Sequence, residues 1–313
     1  MTHLATLQPR SAVVWEIRSC AGKIQYFIGT SKKDKQQIKS VISAHGNVDF
    51  MDIKPTVRKE ISLAKSLQIT QPILSLKINE NLAVTRAVLA AMNQIEGKDT
   101  AVVQIILGRA FSPTDMPNKI SDPHASLFSV IAGNVPPASS ESRTSIREKI
   151  SCHRLSCCVR IGAAGKTGTK EDLYTRNIFS ALRVMESSGV KMKLLSLKAA
   201  FFNEVNIPWH YQLKLSVKEV ANLFLLPSGE ENLPGVIGLH PKYLPAPLWL
   251  ENPTSNLKRS FGINISPAYA QQPNANAKLL NISPRDSLEH TLILGPTGSG
   301  KSNVMLQLIL EDI

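Results

Sequence analysis

The feature that most restricts how this chain can fold is a glycine-rich segment near its end, Gly295-Pro-Thr-Gly-Ser-Gly-Lys-Ser302, which satisfies the pattern G-x-x-x-x-G-K-[ST]. A β-type run at Thr291–Leu294 precedes the segment, and an apolar helical stretch at Asn303–Leu310 follows it. Strand, loop and helix in this order are typical of a loop whose backbone N–H groups surround phosphates at a helix N-terminus. The sequence therefore predicts a phosphate-binding loop of the P-loop type.

The residue types in this loop each have a chemical role. The glycines permit backbone angles that turn successive N–H groups inward. Lys301 is expected to contact the β- and γ-phosphates, and the Ser302 hydroxyl is expected to contact magnesium that is held with the nucleotide. ATP and Mg²⁺ are therefore the predicted cofactors. The predicted nucleotide-binding residues are Gly295, Pro296, Thr297, Gly298, Ser299, Gly300, Lys301 and Ser302.

Hydrolysis of the nucleotide needs residues beyond the loop. A P-loop ATPase uses a further apolar strand that ends in an acidic residue, together with a group that positions the attacking water. Twelve residues follow Lys301, and Asp312 is predicted to lie on or just beyond the helix rather than at a strand end. No catalytic residue is predicted in this chain, and we expect the chain alone to bind ATP weakly without hydrolysing it.

The remainder of the chain alternates strand-like and helix-like patterns, which predicts an α+β fold built from two ferredoxin-like or βαβ-type units. A loop-rich connector and the first strand, P-loop and helix of an α/β NTPase domain are expected to follow. The predicted domains are an α+β unit at 1–110, a mobile connection at 111–141, a second α+β unit at 142–210, a helix plus connector at 211–289, and the start of the motor at 290–313.

Local patterns predict the individual elements. The spacing of apolar residues predicts strands at 13–18, 24–28, 48–53, 60–65, 73–78, 101–107, 157–161 and 191–197, helices at 33–45, 81–96 and 170–187, and a hairpin near 261–265 and 277–282. Two segments with a Ser-x-x-Glu pattern, Ser145–Glu148 and Ser216–Glu219, predict capping boxes that begin helices. Leu215 and Val220 are placed to form a hydrophobic staple around the second box.

Three weaker signals favour structural roles. Gly162–Thr167 resembles half of a phosphate loop, but Arg160 stands where the pattern needs glycine, so we interpret the segment as a strand-to-helix turn. Cys152, His153, Cys157 and Cys158 lack the paired spacing of a zinc site, which favours buried thiols. The aromatic residues Trp15, Tyr26 and Phe27 lie in alternating strands and are expected in the core rather than as base-stacking groups.

The charge of the chain is unevenly distributed. The net charge is +12, and residues 1–210 hold 28 Lys and Arg against 16 Asp and Glu. The cations are scattered, with the densest run at Lys32–Lys39, which favours an acidic protein partner over DNA for this region. The chain has no apolar stretch long enough to span a membrane and no secretory signal at Met1–Arg10. Its four cysteines are too few for a disulfide scaffold, so the sequence predicts a soluble cytoplasmic protein.

Four segments together resemble the HerA/FtsK-superfamily ATPases of type IV secretion and conjugation systems. The opening strands at Ser11–Ile28 resemble the start of the N-terminal region in these conjugative DNA-transfer, or coupling-protein-like, ATPases. Ile146–Ile161 is similar to a later segment of that region, and Leu215–Pro227 resembles the segment before the motor, although Leu225 stands where members often carry histidine. His290–Ser302 is similar to the Walker A motif of the family, including the histidine.

The resemblance covers the N-terminal part of such a protein and ends just after Walker A. It implies that the complete protein forms a homo-oligomeric ring, a hexamer, and couples ATP hydrolysis to movement of DNA or a nucleoprotein substrate. Its implied partners are secretion-channel components, which implies a cytoplasmic protein associated with the membrane through that apparatus.

Two alternatives stay open. One is a pilus or type II secretion ATPase, against which Leu215–Pro227 and His290 argue. The other is a non-catalytic docking module of a secretion apparatus that keeps the P-loop as a remnant. A downstream apolar strand that ends in an acidic residue would support the motor over the remnant.

Overall fold

The chain divides into two compact units, Met1–Gly238 and Leu239–Ile313. The computed structural model describes residues 1–44, 50, 59–78, 81–125, 128, 131–132, 135–226, 234, 259–263, 279–282, 288, 292–294, 298 and 300–312. The first unit contains a seven-stranded sheet with helices. In the described part of the second unit, a two-stranded sheet and one α-helix are present.

The first unit contains every element before the predicted connector. In chain order its elements are α1 (Thr2–Leu7), β1 (Val13–Cys20), β2 (Lys23–Gly29), α2 (Lys35–Ser43), β3 (Leu63–Ile69), α3 (Asn81–Asn93), β4 (Thr100–Phe111), α4 (Ser140–Ile150), β5 (Arg154–Ala164), α5 (Gly168–Leu182), a 3₁₀ helix (Arg183–Met185), β6 (Met192–Leu197), α6 (Ala199–Asn203), β7 (Leu213–Ser216) and α7 (Val217–Leu223). The second unit contributes β8 (Arg259–Ile263), β9 (Leu279–Ile282) and α8 (Lys301–Asp312).

The large sheet is antiparallel throughout, in the order β2-β1-β4-β5-β3-β6. Strand β7 also pairs with β5, on the side that β3 occupies. β3 pairs with the end of β5 at Arg160–Ala163, whereas β7 pairs with its beginning at Arg154–Cys157. The α+β class predicted from the sequence is therefore confirmed.

The division of residues 1–210 into two α+β units does not correspond to two packed bodies. β5 belongs to the second predicted unit, yet it lies between β4 and β3, which belong to the first. The burial of β5 agrees with this central place, because every residue from Cys157 to Ala164 is buried. A strand buried on both faces is favoured inside a sheet rather than at an edge.

The main hydrophobic core lies between one face of the sheet and a layer of helices. Side chains alternate between the two faces of a strand, so β4 directs Val103, Ile105 and Leu107 into this core. The helices supply buried apolar residues from α3, α5 and α7: Val84, Val88, Leu89, Met92, Ile178, Leu182, Val220 and Leu223. The opposite face has a smaller cluster made of Ile61, Ala64, Val102, Ala164 and Phe202, the last from α6.

Two of the three aromatic residues in the first hairpin join that hairpin to the end of α7. The indole N–H of Trp15 donates to the backbone oxygen of Phe224 at 3.2 Å, and the two rings stack with centroids 4.7 Å apart. The Tyr26 hydroxyl donates to the backbone oxygen of Leu225 at 2.8 Å. The core role predicted for Trp15 and Tyr26 is confirmed, whereas Phe27 is partly buried beneath the guanidinium of Arg18.

One of the two predicted capping boxes is confirmed. Ser216 caps α7, its side chain accepting from the Glu219 N–H while the Glu219 carboxylate accepts from the Ser216 N–H. The prediction at Ser145 is wrong, because α4 begins earlier with Ser139 as its cap. The Ser145 hydroxyl instead accepts a hydrogen bond from the backbone N–H of Ser75 at 2.8 Å. Ser145 lies in the interior of α4, where its hydroxyl is available to another segment.

The strand predicted at 73–78 is also not formed. Its backbone N–H groups find acceptors outside any sheet, because Leu76 donates to the Glu219 carboxylate at 2.7 Å and Lys77 donates to the backbone oxygen of Met185 at 3.0 Å. Each buried N–H needs one partner, and these partners lie more than 100 residues away in sequence. A local pattern therefore could not distinguish this segment from a strand.

The other predicted elements are present with shifted bounds where they are described. The structure confirms the strands at 13–18, 24–28, 101–107, 157–161 and 191–197, the helices at 33–45, 81–96 and 170–187, and the hairpin formed by β8 and β9. The predicted strand 60–65 corresponds to β3, which begins later, and the predicted strand 48–53 lies almost wholly outside the described residues. In the predicted connection, Asp122 and Ala138 donate to backbone oxygens of Pro136 and Ile120 at 2.9 Å each, so its two ends are joined.

A buried ion pair connects α4 to α7. The Lys149 ammonium lies 3.3 Å from the Glu219 carboxylate, and their side chains are 3% and 0% exposed. Lys149 also donates to the backbone oxygen of Leu74 at 2.8 Å. Burial lowers the pKa of Lys149 from its ordinary value, and the nearby Glu219 charge opposes that change. The pair thus fixes two helices and the segment at 74–76 to one another.

We expect Lys149→Met to reduce the free energy of unfolding by about 3–5 kcal/mol, because the substitution leaves the buried Glu219 carboxylate without its cation. Urea unfolding followed by tryptophan fluorescence measures the change. Lys218→Met, at an exposed position of the same helix α7, is the matched control and should change stability by less than about 0.5 kcal/mol. Equal losses in the two variants would contradict the role given to the pair.

Asp34 joins the N-terminal segment to the start of α2. Its buried carboxylate accepts hydrogen bonds from the Ser11 hydroxyl at 2.6 Å, the Ser11 N–H at 3.1 Å and the Ser31 hydroxyl at 3.0 Å. The bond from the Ser11 hydroxyl is the largest cause that lowers the pKa of Asp34 below its ordinary value. The ionised carboxylate therefore stabilises the folded chain.

We expect Asp34→Asn to be less stable than the parent at pH 7, with a difference that shrinks in acid. A lowered carboxyl pKa adds stability above the unfolded pKa of about 3.9, and this contribution is lost as the pH falls through the folded value. Urea midpoints at pH 7 and pH 3 measure the effect, with Asp115→Asn at an exposed position as the control. A difference that is the same at both pH values would argue against the carboxylate charge.

Candidate functional site

Two glycines of the glycine-rich loop, Gly298 and Gly300, lie among the described residues. Gly298 and Gly300 have positive φ angles of 79° and 85°, a region that residues with a Cβ rarely enter. The N–H groups of Asn303 and Val304 each donate to the Gly300 backbone oxygen at 3.1 Å, so the helix begins directly after the loop. Gly295, Pro296, Thr297 and Ser299 lie outside the described residues.

Lys301 and Ser302 occupy the first turn of α8. Lys301 is partly buried and Ser302 is exposed. The first-turn N–H groups of a helix have no acceptor within the helix, and the helix dipole places partial positive charge there. The start of α8 therefore carries backbone N–H donors, with Lys301 and Ser302 in the same turn.

The flanks of the loop agree with the prediction only in part. The helix predicted at Asn303–Leu310 is confirmed as α8, and Asp312 lies at its end. The strand predicted at Thr291–Leu294 is not seen in its described residues, Leu292–Leu294, which have no strand geometry. Leu292 and Leu294 are 80% and 82% exposed, as expected for an apolar run that has no neighbouring strand in the described part of the chain.

The interpretation of Gly162–Thr167 as a strand-to-helix turn is confirmed. β5 ends at Ala164, and Thr167 caps α5 by accepting a hydrogen bond from the Lys170 N–H. Gly162 itself is required by packing, because a Cβ there would come within 2.8 Å of the Phe202 ring.

The cysteines agree with the structural role predicted for them. Cys157 and Cys158 are buried in β5, and Cys152 is partly buried. Burial raises the pKa of the Cys157 thiol well above its ordinary value, so the thiol stays protonated and unreactive. Among the described residues, no group of three or more His, Cys, Asp or Glu is arranged to hold a metal ion.

A row of buried polar side chains, not predicted from the sequence, crosses the face of the sheet opposite the main core. Glu16, Gln104 and Arg160 are register partners on the adjacent strands β1, β4 and β5. The Gln104 amide donates to the Glu16 carboxylate at 2.6 Å and accepts from the Arg160 guanidinium at 3.1 Å. Arg160 also donates to the backbone oxygens of Phe201 and Asn206 at 3.1 and 2.6 Å. The row thereby fixes the loop that follows α6 to the sheet.

One sequence signal could have revealed this row. Gln104 interrupts the apolar run of β4, and Arg160 stands between Val159 and Ile161 in β5. A polar residue inside a buried strand costs free energy unless it has a partner, so two such interruptions predict that they pair with each other. The register that brings them together was needed to identify the pair.

In the described part of the chain, no helix combines the length and the apolar character needed to cross a bilayer. The glycine-rich loop belongs to the second unit and the polar row to the first. Comparison with family models, with curated proteins and with solved structures found no match to this chain.

Proposed function

We propose that this chain binds ATP with Mg²⁺ at residues 295–302, as the N-terminal region and Walker A segment of an ATP-driven DNA-translocating ATPase. The observation that carries the nucleotide part of the proposal is the motif followed directly by a helix that begins at Lys301, with Gly298 and Gly300 at positive φ. This combination supplies several N–H donors and one cation to a single phosphate chain.

In this proposal Lys301 binds the phosphates and Ser302 binds the metal. Lys301 neutralises charge on the β- and γ-phosphates, where a compact ammonium acts as a point charge. The Ser302 hydroxyl is an oxygen ligand of the kind that Mg²⁺ prefers, and the metal retains water and phosphate oxygens as its other ligands. The loop glycines leave room for the phosphate chain to approach the backbone.

The translocase part of the proposal depends on the resemblance to HerA/FtsK-superfamily ATPases. Leu215–Pro227 supports it, since the family has a similar segment before its motor, and α7 lies within these residues. In this proposal residues 290–313 begin an α/β P-loop NTPase domain, and a hexameric ring of the complete protein moves DNA or a nucleoprotein substrate. Secretion-channel components are its membrane-associated partners, and the basic surplus of residues 1–210 faces an acidic partner.

We expect Lys301→Ala to weaken ATP binding by at least tenfold, because the substitution removes the cation that neutralises the terminal phosphates. Isothermal titration of the chain with ATP and Mg²⁺ measures the affinity. Lys218→Ala, an exposed lysine in the first unit, is the control and should leave the affinity unchanged. Equal affinities for the parent and Lys301→Ala would refute nucleotide binding at the loop.

We expect Gly300→Ala to weaken ATP binding as well, because a Cβ disfavours the φ of 85° from which the loop enters α8. Gly97→Ala is a matched control, since Gly97 also has a positive φ, of 57°, and neither glycine has another group within 4 Å of an added Cβ. Each substitution should lower stability by about 1 kcal/mol. Only Gly300→Ala should change the affinity, and a similar loss of binding in Gly97→Ala would contradict the proposal.

A further inference from the structure

A cavity of about 650 Å³ lies at one end of the large sheet, within the first unit. The segment between α1 and β1, the end of β4, the start of β5 and the loop before β7 form its walls. Its volume lies within the range of roughly 300–1,000 Å³ that is usual for small-molecule sites. The residues on which its chemistry depends are Arg10, Arg109, Phe111, Arg154, Ile207 and Tyr211.

The charged residues that line this cavity, which we call the arginine cavity, are all cations. Three arginines line it, Arg10, Arg109 and Arg154, and no acidic residue is among the lining residues. Cations that line one cavity without a lining carboxylate repel one another, and an anion inside the cavity would offset that repulsion. The Thr114 hydroxyl, which accepts a hydrogen bond from Arg154, adds a donor to the same walls.

Arg154 has an unused donor. Its terminal nitrogen donates to the backbone oxygen of Ser112 at 3.4 Å and to the Thr114 hydroxyl at 3.2 Å, and both bonds are long. Its Nε is buried and has no hydrogen-bond partner in the described part of the chain. Because this Nε is inaccessible to solvent, a ligand would contact Arg154 through its terminal guanidinium nitrogens, whose hydrogen bonds to Ser112 and Thr114 are long.

Aromatic rings lie among these cations. The Phe111 ring has the Lys214 ammonium 3.8 Å and the Arg109 guanidinium carbon 5.5 Å from its centroid. The Tyr211 ring lies so close to Gly108 that a Cβ there would come within 2.4 Å of it. The cavity thus combines cations with flat apolar surfaces, the two kinds of group that contact a nucleotide.

We propose that the arginine cavity binds a phosphate-bearing ligand of nucleotide size, with its phosphates at the arginines and its base against the aromatic rings. Three guanidinium forks match the several oxygens of a phosphate or diphosphate, whereas one carboxylate would neutralise only one of them. The same chemistry is offered by a free nucleotide and by the phosphorylated end of a single-stranded nucleic acid. The proposal does not depend on the function assigned to the glycine-rich loop.

Binding is tested in the Lys301→Ala background, so that the glycine-rich loop does not contribute. The probes are ATP without added metal, pyrophosphate, and a 5′-phosphorylated oligothymidylate with its unphosphorylated counterpart, each measured by isothermal titration. Arg109 and Arg10 are exposed, so charge reversal at either position is compatible with the fold. The test variants are Arg109→Glu and Arg10→Glu, and Lys218→Glu is the control with the same change in charge.

We expect Arg109→Glu and Arg10→Glu each to weaken binding at least tenfold, and Lys218→Glu to stay within twofold of its parent. Tighter binding of ATP than of the oligonucleotide identifies a free nucleotide as the source, and the reverse, with a requirement for the 5′-phosphate, identifies a nucleic-acid end. The proposal is overturned if no probe binds below millimolar concentration. It is also overturned if binding survives both arginine reversals, or if Lys218→Glu weakens it as much as they do.

Discussion

The buried carboxylate of Glu219 is the group on which the first unit most depends. One of its oxygens pairs with Lys149 and accepts the Leu76 N–H, and the other accepts the Ser216 N–H at the start of α7. The far end of α7 in turn accepts hydrogen bonds from Trp15 and Tyr26. A single side chain therefore connects α4, the segment at 74–76 and, through α7, the first hairpin. Its burial is tolerable only because each of these donors is in place.

The two faces of the large sheet differ in how many apolar side chains cover them. The face that carries Trp15 is covered by α3, α5 and α7 and contains most of the buried apolar side chains. The other face has only α6 and the loop after it as described cover, and the polar row of Glu16, Gln104 and Arg160 lies there. A face with little apolar cover leaves room for buried charged groups, so the polar row lies away from the main core.

How well the sequence predicted each feature depended on how local the feature is. The capping box at Ser216 and the turn before α5 are complete within a few residues, and both were predicted. The same Ser-x-x-Glu pattern failed at Ser145, because α4 begins earlier with Ser139 as its cap, and the Ser145 hydroxyl instead accepts from Ser75, 70 residues away. The glycine-rich loop is contiguous and was recognised, whereas the arginine cavity draws Arg10, Arg109 and Arg154 from distant segments that only the strand pairing brings together.

The central place of β5 also has a consequence for how the chain acquires its structure. Strands β1, β3 and β4 precede β5 in sequence, yet among the described strands β3 pairs only with β5 and β6. During synthesis, β3 therefore waits with its hydrogen-bonding edges unpaired until nearly 100 further residues have been added. Pairings between distant segments close slowly, because the entropy of the intervening chain is lost before any contact compensates for it. Folding of this unit is thus expected to be slow and late, with an interval in which the unpaired edges of β3 are open to other chains.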